Sequence, residues 1–388
     1  MANRLSRPPV ARRMLAAAVA AAALVHGNAS AISLEEAYQA ALQNDPSYRM
    51  AIHGNEAGQE NRIIGRSYLL PSLSGSYTVQ DSKSDIETRL SKSHREYMSK
   101  AGSISLRQSI FNLDAVARYR QGVQQAKASE AMLDAARQNL IVRVVSAYIE
   151  AIFAEDQLAL ARAQRDMLAE QQQVNDRLYK AGEGTVTDQL ETRAKLDMAE
   201  ARLLEIQDLQ RASLVTLSGI VGQPVTSLDR LREDFRVRAA DMMSYEDWKA
   251  IALVKNPELV AQEHNIQVAR EEVNKARAGH VPRLDFIANM SKNDSDSITT
   301  LGQETETKSV GFQLTVPLYS GGAINASTRQ ARANANRARA ELEAKSDKIM
   351  VDLRKEYDAL SSSVTRINAL MKAVESARLL MKATEQSI

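Results

Sequence analysis

Three observations in the sequence predict a mainly α-helical chain that also carries membrane β-hairpins. From about Asp114 to about Lys180 there is no Pro, and the only Gly, Gly122, lies near the start. At ~1.5 Å per residue such a helix is a rod of roughly 100 Å, whereas globular helices average about 11 residues. Two pairs of segments, near 69–111 and 283–318, alternate apolar and polar residues with period two. The whole arrangement then occurs twice. Pro257 follows Pro46 by 211 residues and Pro282 follows Pro71 by the same 211, with the same order of elements around each.

The N-terminus places the chain outside the cytoplasm. Arg4, Arg7, Arg12 and Arg13 precede an apolar run from Met14 to Val25, and Ala29-Ser30-Ala31 supplies the small residues a signal peptidase reads. Residues 1–31 are therefore expected to be a secretory signal peptide. A transmembrane anchor fits less well, because the run is only about a dozen residues. Without the four leader Arg, 46 basic residues face 48 acidic ones, so nothing points to a nucleic-acid partner. Cys is absent, which removes thiol nucleophiles, disulfides and Cys-based metal sites. Later segments lack the apolar length of a spanning helix, so entry into a membrane would use β-strands.

The mature chain opens with Ser33-Leu34-Glu35-Glu36, a capping box. Asn44-Asp45-Pro46 interrupts the helix, and Pro46 starts the next turn. Helical spacing continues to about Ser67. A strand then spans about Leu69 to Gln80, with Leu73, Gly75, Tyr77 and Val79 opposite Ser74, Ser76 and Thr78. A polar loop is expected at about 81–100, and a second strand at about Ala101 to Phe111. Strands of about eleven residues can cross a hydrocarbon layer. Asp114 is the expected N-cap of the long helix. Its seam is Leu140, Val144, Ala147, Ala151, Ala154, Leu158 and Ala161, a heptad pattern rich in Ala that admits a close partner helix. Gly182 and Gly184 allow a sharp turn, Thr185 to Asp188 reads as a second capping box, and a return helix follows to about Ser218 with Leu196, Ala199, Leu203 and Ile206 on one face. A connector at about 226–243 includes a candidate short strand at 235–237.

The second repeat, from about 244, restates this order. Ser244 to Asp247 caps a helix, Asn256-Pro257 breaks it, and strands near 283–288 and 310–316 flank a polar segment. A long helix starts near Ala323, with Ala331, Ala335, Ala338 and Leu342 on its seam. The expected organisation is a first repeat over 32–225, with a hairpin at about 69–111 and a helical hairpin at about 114–218. The second repeat covers 244–388, with a hairpin at about 283–318. This copy stops before a return helix, as expected of a fragment.

Four strands cannot close a barrel, and an open sheet in lipid leaves backbone groups unpaired. Strand number must be multiplied by association. A trimer supplies twelve strands and a pore, and the same symmetry gathers the helices into a hollow α-barrel. With Leu34-Glu35-Glu36-Ala37-Tyr38, Leu69-Leu70-Pro71, Gln108-Ser109-Ile110-Phe111-Asn112, Arg177-Leu178-Tyr179 with Gly182, and Val316-Pro317-Leu318-Tyr319 with Gly321-Gly322, the mature chain resembles the TolC family of outer-membrane channel-tunnel proteins. The resemblance implies a homotrimer in outer-membrane lipid with its helices in the periplasm. It also implies docking on a periplasmic membrane-fusion adaptor and an inner-membrane ABC or proton-driven transporter. The members serving type I protein secretion look most similar. Drug efflux is the alternative within the family, and a periplasmic coiled-coil structural protein is the alternative outside it.

The resemblance also places the periplasmic gate and adaptor tip at Tyr179, Gly182, Glu183, Gly184, Thr187 and Asp188. Asp188 stands where the family carries an acidic residue that holds the entrance shut. Read on its own, Asp188 equally suits a helix N-terminus favoured by the macrodipole, and Tyr179 a seam-flanking aromatic. No catalytic site, cofactor or metal is expected. His53, His94, His264 and His280 lack metal-binding spacing, there is no G-x-S-x-G, and Ala181-Gly182-Glu183-Gly184 does not follow a strand.

Overall fold

The computed structural model describes residues 31–87, 92–230, 243–295 and 302–387. The expected leader, Ala31 apart, and the candidate strand at 235–237 lie outside the described residues. In order the elements are α1 (Leu34–Asn44), α2 (Pro46–Ser67), β1 (Ser72–Glu87), β2 (Lys92–Phe111), α3 (Leu113–Ala181), α4 (Val186–Val221), α5 (Tyr245–Lys255), α6 (Pro257–Ala278), β3 (Arg283–Ser295), β4 (Gln303–Thr315) and α7 (Ala323–Ser387). Among the described residues no helix is long and apolar enough to cross a membrane.

The repeat is visible element by element. α1 and α5 each have 11 residues, and α2 and α6 each have 22. Ser33 caps α1 by accepting from the Glu36 N–H, and Glu36 accepts from the Ser33 N–H in return. Ser244 caps α5 through the Asp247 N–H. At both breaks the residue before Pro is extended, with ψ 118° at Asp45 and 120° at Asn256. That is the conformation a following Pro imposes.

Two expectations are corrected. The polar segment at 81–100 is mostly strand: β1 runs on to Glu87 and β2 begins at Lys92, giving strands of 16 and 20 residues. In the second hairpin β3 and β4 likewise reach into the polar segment, to Ser295 and from Gln303. Cross-strand ion pairs such as Lys83–Glu96 keep this charged stretch in the ladder. Asp114 is not the N-cap of α3. Asn112 is, because its Oδ1 accepts from the N–H groups of Asp114 (3.0 Å) and Ala115 (3.3 Å). Asp114 sits in the first turn instead and pairs with Arg118 at 2.6 Å.

The chain divides into two compact units, residues 1–49 with 138–235, and residues 50–137 with 236–388. The first unit holds the main core. All seven expected seam residues of α3, from Leu140 to Ala161, are buried. Leu140 and Val144 pack with Ala37 and Ala41 of α1 and with Leu217 and Val221 of α4, and Leu158 and Ala161 pack with Ile206. The second unit contains a smaller core of Val273, Ala331 and Ala335, where small side chains let α6 and α7 approach closely. It also contains one four-stranded antiparallel sheet in the order β1-β2-β3-β4.

Candidate functional site

The hairpin tip is built by backbone chemistry. α3 ends at Ala181, and Gly182 follows with φ +82°. The Gly182 N–H donates to Tyr179 O at 3.0 Å and the Glu183 N–H donates to Leu178 O at 2.9 Å. This 5→2 and 6→1 pair is a Schellman motif, which needs a residue tolerant of positive φ. Gly184 also lies close to the preceding turn. A Cβ there would stand 3.0 Å from Tyr179 N and 3.2 Å from Leu178 C. Thr185 then caps α4 by accepting from the Asp188 N–H at 3.1 Å. The reciprocal bond is made by side chains, with the Thr185 hydroxyl donating to Asp188 Oδ2 at 2.6 Å.

Of the six expected tip residues, the two Gly and Tyr179 therefore share one turn, and Asp188 is tied to the cap. Tyr179, Glu183, Thr187 and Asp188 are exposed. Sequence reasoning missed the polar lacing just above the tip. Buried Thr192 accepts from Asn175 Nδ2 at 2.6 Å and donates to Asp188 O at 2.8 Å. Gln189 donates to Asp176 at 2.7 Å. An Asn on one helix and a Thr on the other gave a signal only once their register was known.

The sheet presents two unlike faces. One row in register reads Leu73, Leu106, Ala288, Val310, and the next reads Ser74, Ser105, Asn289, Ser309. The apolar face continues through Tyr77, Ile104, Phe286 and Phe312, the two Phe rings meeting edge to face at 5.5 Å. Leu73 is 70% exposed and Val310 79%. Across the polar face Ser74 pairs with Ser105 at 2.8 Å and Ser76 with Ser103 at 2.9 Å. Among the described residues β1 and β4 each have one unpaired edge.

At the helix-proximal end of the polar face Asp285 is buried. Arg107 Nη2 donates to it at 2.5 Å, Arg107 Nε at 3.2 Å and Ser109 Oγ at 2.9 Å. Asn112 Nδ2 donates to Ser109 Oγ at 3.3 Å, so one network runs from the strands into the cap of α3. The first unit has a second buried carboxylate, Asp45, which accepts from Arg143 at 2.9 and 3.1 Å and from the Tyr48 N–H at 2.7 Å. Burial pushes the pKa of Asp45 up, but the Arg143 guanidinium and the Tyr48 N–H together outweigh it and hold it below the ordinary value. Tyr148 donates to the carbonyls of Ile32 and Asp229, both at 2.9 Å, and fastens the start of the described chain to the segment after α4. Among the described residues no cluster of His, Cys, Asp and Glu is arranged to hold a metal ion.

Residues 37–223 and 249–388 match the protein family described as outer membrane efflux protein. The chain is 42% identical over 371 residues to alkaline protease secretion protein AprF of Pseudomonas aeruginosa, covering 94% of this chain and 77% of that protein. It is 34% identical to proteases secretion protein PrtF of Dickeya chrysanthemi, covering 93% of this chain and 80% of that protein. In fold it is similar to the outer membrane protein VceC of Vibrio cholerae, with a TM-score of 0.71 and 18% identity over 89% of this chain and 83% of that one.

Proposed function

The chain belongs to the TolC family of outer membrane efflux proteins, and from that premise we propose that it is the outer-membrane duct of a type I protein secretion system. The sheet is the observation that carries this reading. Its exposed apolar face suits hydrocarbon, and its Ser/Asn face suits a water-filled lumen. Its two open edges require pairing with further strands, since unpaired edges are not tolerated in lipid. Three copies joined edge to edge give a twelve-stranded barrel with the apolar face outward. The Ala-rich seams suit the single-layer wall of closely packed helices that such a trimer extends into the periplasm. The duct has no catalytic role. Selection of cargo falls to the inner-membrane pump, because a serine-lined tube offers little chemistry with which to choose.

Protein secretion is favoured over drug efflux because AprF and PrtF, 42% and 34% identical to this chain over the aligned residues, are by name protease secretion proteins. The hairpin tip of Tyr179, Gly182, Glu183, Gly184, Thr187 and Asp188 is the docking point for a periplasmic adaptor in this reading, with Asp188 contributing to closure. The test is photocrosslinking from positions 179 and 187 in intact cells, followed by mass spectrometry. Recovery of an adaptor with an ABC transporter is the expected result. Recovery of a proton-driven pump would reassign the duct to small-molecule efflux. A soluble monomer absent from the outer membrane would overturn the duct reading itself.

A further inference from the structure

Between α6 and α7 lies a groove of about 420 Å³ walled by Arg270, Arg277, Arg332 and Arg339, with Val273 and Ala335 at its floor. All four Arg are exposed, and none is paired with a carboxylate among the described residues. Arg270 donates to Gln267 and Arg339 to Asn336, both at 3.2 Å, so the partners present are neutral. Arg118, Arg202, Arg211 and Arg354, by contrast, each have an acid within a turn, and the groove differs in gathering four Arg without one. On each helix the two Arg are seven residues apart, a rise of about 10 Å.

The groove continues upward. Asn274 and Arg277 also line an adjoining cleft of about 340 Å³, whose other walls are Leu113, Val116, Ala278 and Val281, with Arg120 at its lower side. Glu271, which accepts from Asn274 at 3.1 Å, is the one carboxylate among these lining residues. The combined surface is thus apolar nearest the sheet and cationic farther from it. Val281 stands three residues before Leu284, which lies on the apolar face of β3 in register with Leu314.

Geometry also fixes which surface this is. Asp114 and Arg118 line a neighbouring groove with Arg283 and Thr315, and that groove meets the apolar cleft at Leu113, Ala278 and Val281. Arg283 and Thr315 are paired, two residues from the Asp285–Gln313 pair of the polar face, and so lie on that face. Val116 and Arg120 are two residues on, about 200° around the helix. The cleft therefore turns away from the polar-face side, from Leu113 and Val281 towards Val116 and Arg120, and the Arg groove, which shares no residue with the polar-face groove, lies beyond that turn. With the polar face toward the lumen, this puts the Arg groove on the outward side.

We propose that this outward groove binds an anionic phospholipid of the periplasm-facing leaflet, with the acyl chains along Leu113, Val116 and Val281 and the phosphate among the arginines. The inference rests on the duct reading, which sets the membrane level and the outward surface. The order of the groove matches the order of the lipid. The apolar part adjoins the strand ends, and the upper pair, Arg277 and Arg332, lies next beyond it at the level of a headgroup layer about 5–7 Å deep, with Arg270 and Arg339 about 10 Å farther from the core. Arg suits phosphate because its planar fork donates two bonds at once. A soluble anion would not need the apolar half, and a neutral lipid would leave the Arg cluster uncompensated.

The test uses the protein in neutral detergent, with native mass spectrometry against phosphatidylglycerol, phosphatidylcholine and inorganic phosphate. The wild type should bind phosphatidylglycerol about tenfold or more tightly than phosphatidylcholine, several modest charge contacts adding up, and salt should weaken the preference. The variant R270Q/R277Q/R332Q/R339Q should lose the preference, and the corresponding Lys variant should keep part of it. Equal binding of the two lipids, or a preference that survives the Gln variant, overturns the site. Displacement of the lipid by inorganic phosphate at equal concentration also overturns it, in favour of a soluble-anion site. Conductance in phosphatidylcholine bilayers is measured in parallel. A protein that conducts but shows no lipid preference sinks the lipid site alone, and one that never conducts sinks the duct reading.

Discussion

The two repeats break their first helix in the same way and with different chemistry. Asp45 and Asn256 have nearly the same backbone angles, both precede Pro, and both accept hydrogen bonds from N–H groups of the helix that follows. Asn256 serves two N–H groups, at 2.9 and 3.3 Å, and carries no charge. Asp45 is buried and held by Arg143, which lies 98 residues on. The bend therefore needs only Pro and a capping oxygen. The charge in the first repeat adds a long-range tie between the break and α3.

Removing that tie should have the largest effect. Arg143→Met leaves a buried carboxylate with only backbone partners. A fully buried pair broken in this way costs about 3–5 kcal/mol. Arg143 is 40% exposed, which screens the interaction and reduces the expected loss to roughly 2 kcal/mol. Asp45→Asn in the same background should recover most of it, because the second repeat makes its bend with Asn. Thermal denaturation of the single and double variants measures both. A double variant no more stable than Arg143→Met would show that the two breaks are not equivalent.

The same pair sets a pH dependence. The folded pKa of Asp45 is below its unfolded value. Its stabilisation is therefore complete above the ordinary carboxylate range, about pH 4–5, and is lost as pH falls through the lowered folded value. Asp45→Asn should flatten this part of the acid limb, whereas Asn256→Gln should leave its slope unchanged. Denaturation midpoints collected from pH 6 down to pH 2.5 would test the contrast.

α3 is turned back at Gly182 and covered by α4. Gly182→Ala forces a side chain into positive φ and should cost about 1–2 kcal/mol locally. Faster amide exchange should appear at residues 178–192 and not in α7. Uniform exchange rates in wild type and variant would mean that the Schellman turn is not what holds the tip.

What the sequence revealed follows from the range of each interaction. The seam from Leu140 to Ala161 was legible because helical period and burial coincide within one segment. The breaks at Pro46 and Pro257 were legible because Pro acts on its own neighbour. The outer halves of β1 and β2 were not, since Lys83 looks like a loop residue until Glu96 is opposite it. The cap of α3 was misplaced by two residues because Asn112 and Asp114 are both good caps, and only the turn geometry decides between them. Asp285 sat in view between Leu284 and Phe286, on the polar side of the alternation. Its partner Arg107 is 178 residues away, and no local pattern joins them.

The smallest predicted effect is the sharpest test of the repeat comparison. Asn256→Asp gives the second break the residue of the first without supplying an arginine. Asp and Asn are nearly equal as N-caps, and a negative charge at the N-terminus of α6 is favoured by the helix dipole. Asn256 is also only partly buried, unlike Asp45. The stability change at neutral pH should therefore stay within about 0.5 kcal/mol. Asn256→Ala, which removes the oxygen, should cost about 1 kcal/mol. A large loss with Asp would mean that the second break cannot carry charge unaided. In that case Arg143 is what permits Asp45 in the first repeat, rather than an addition to a bend already specified by Pro and a cap.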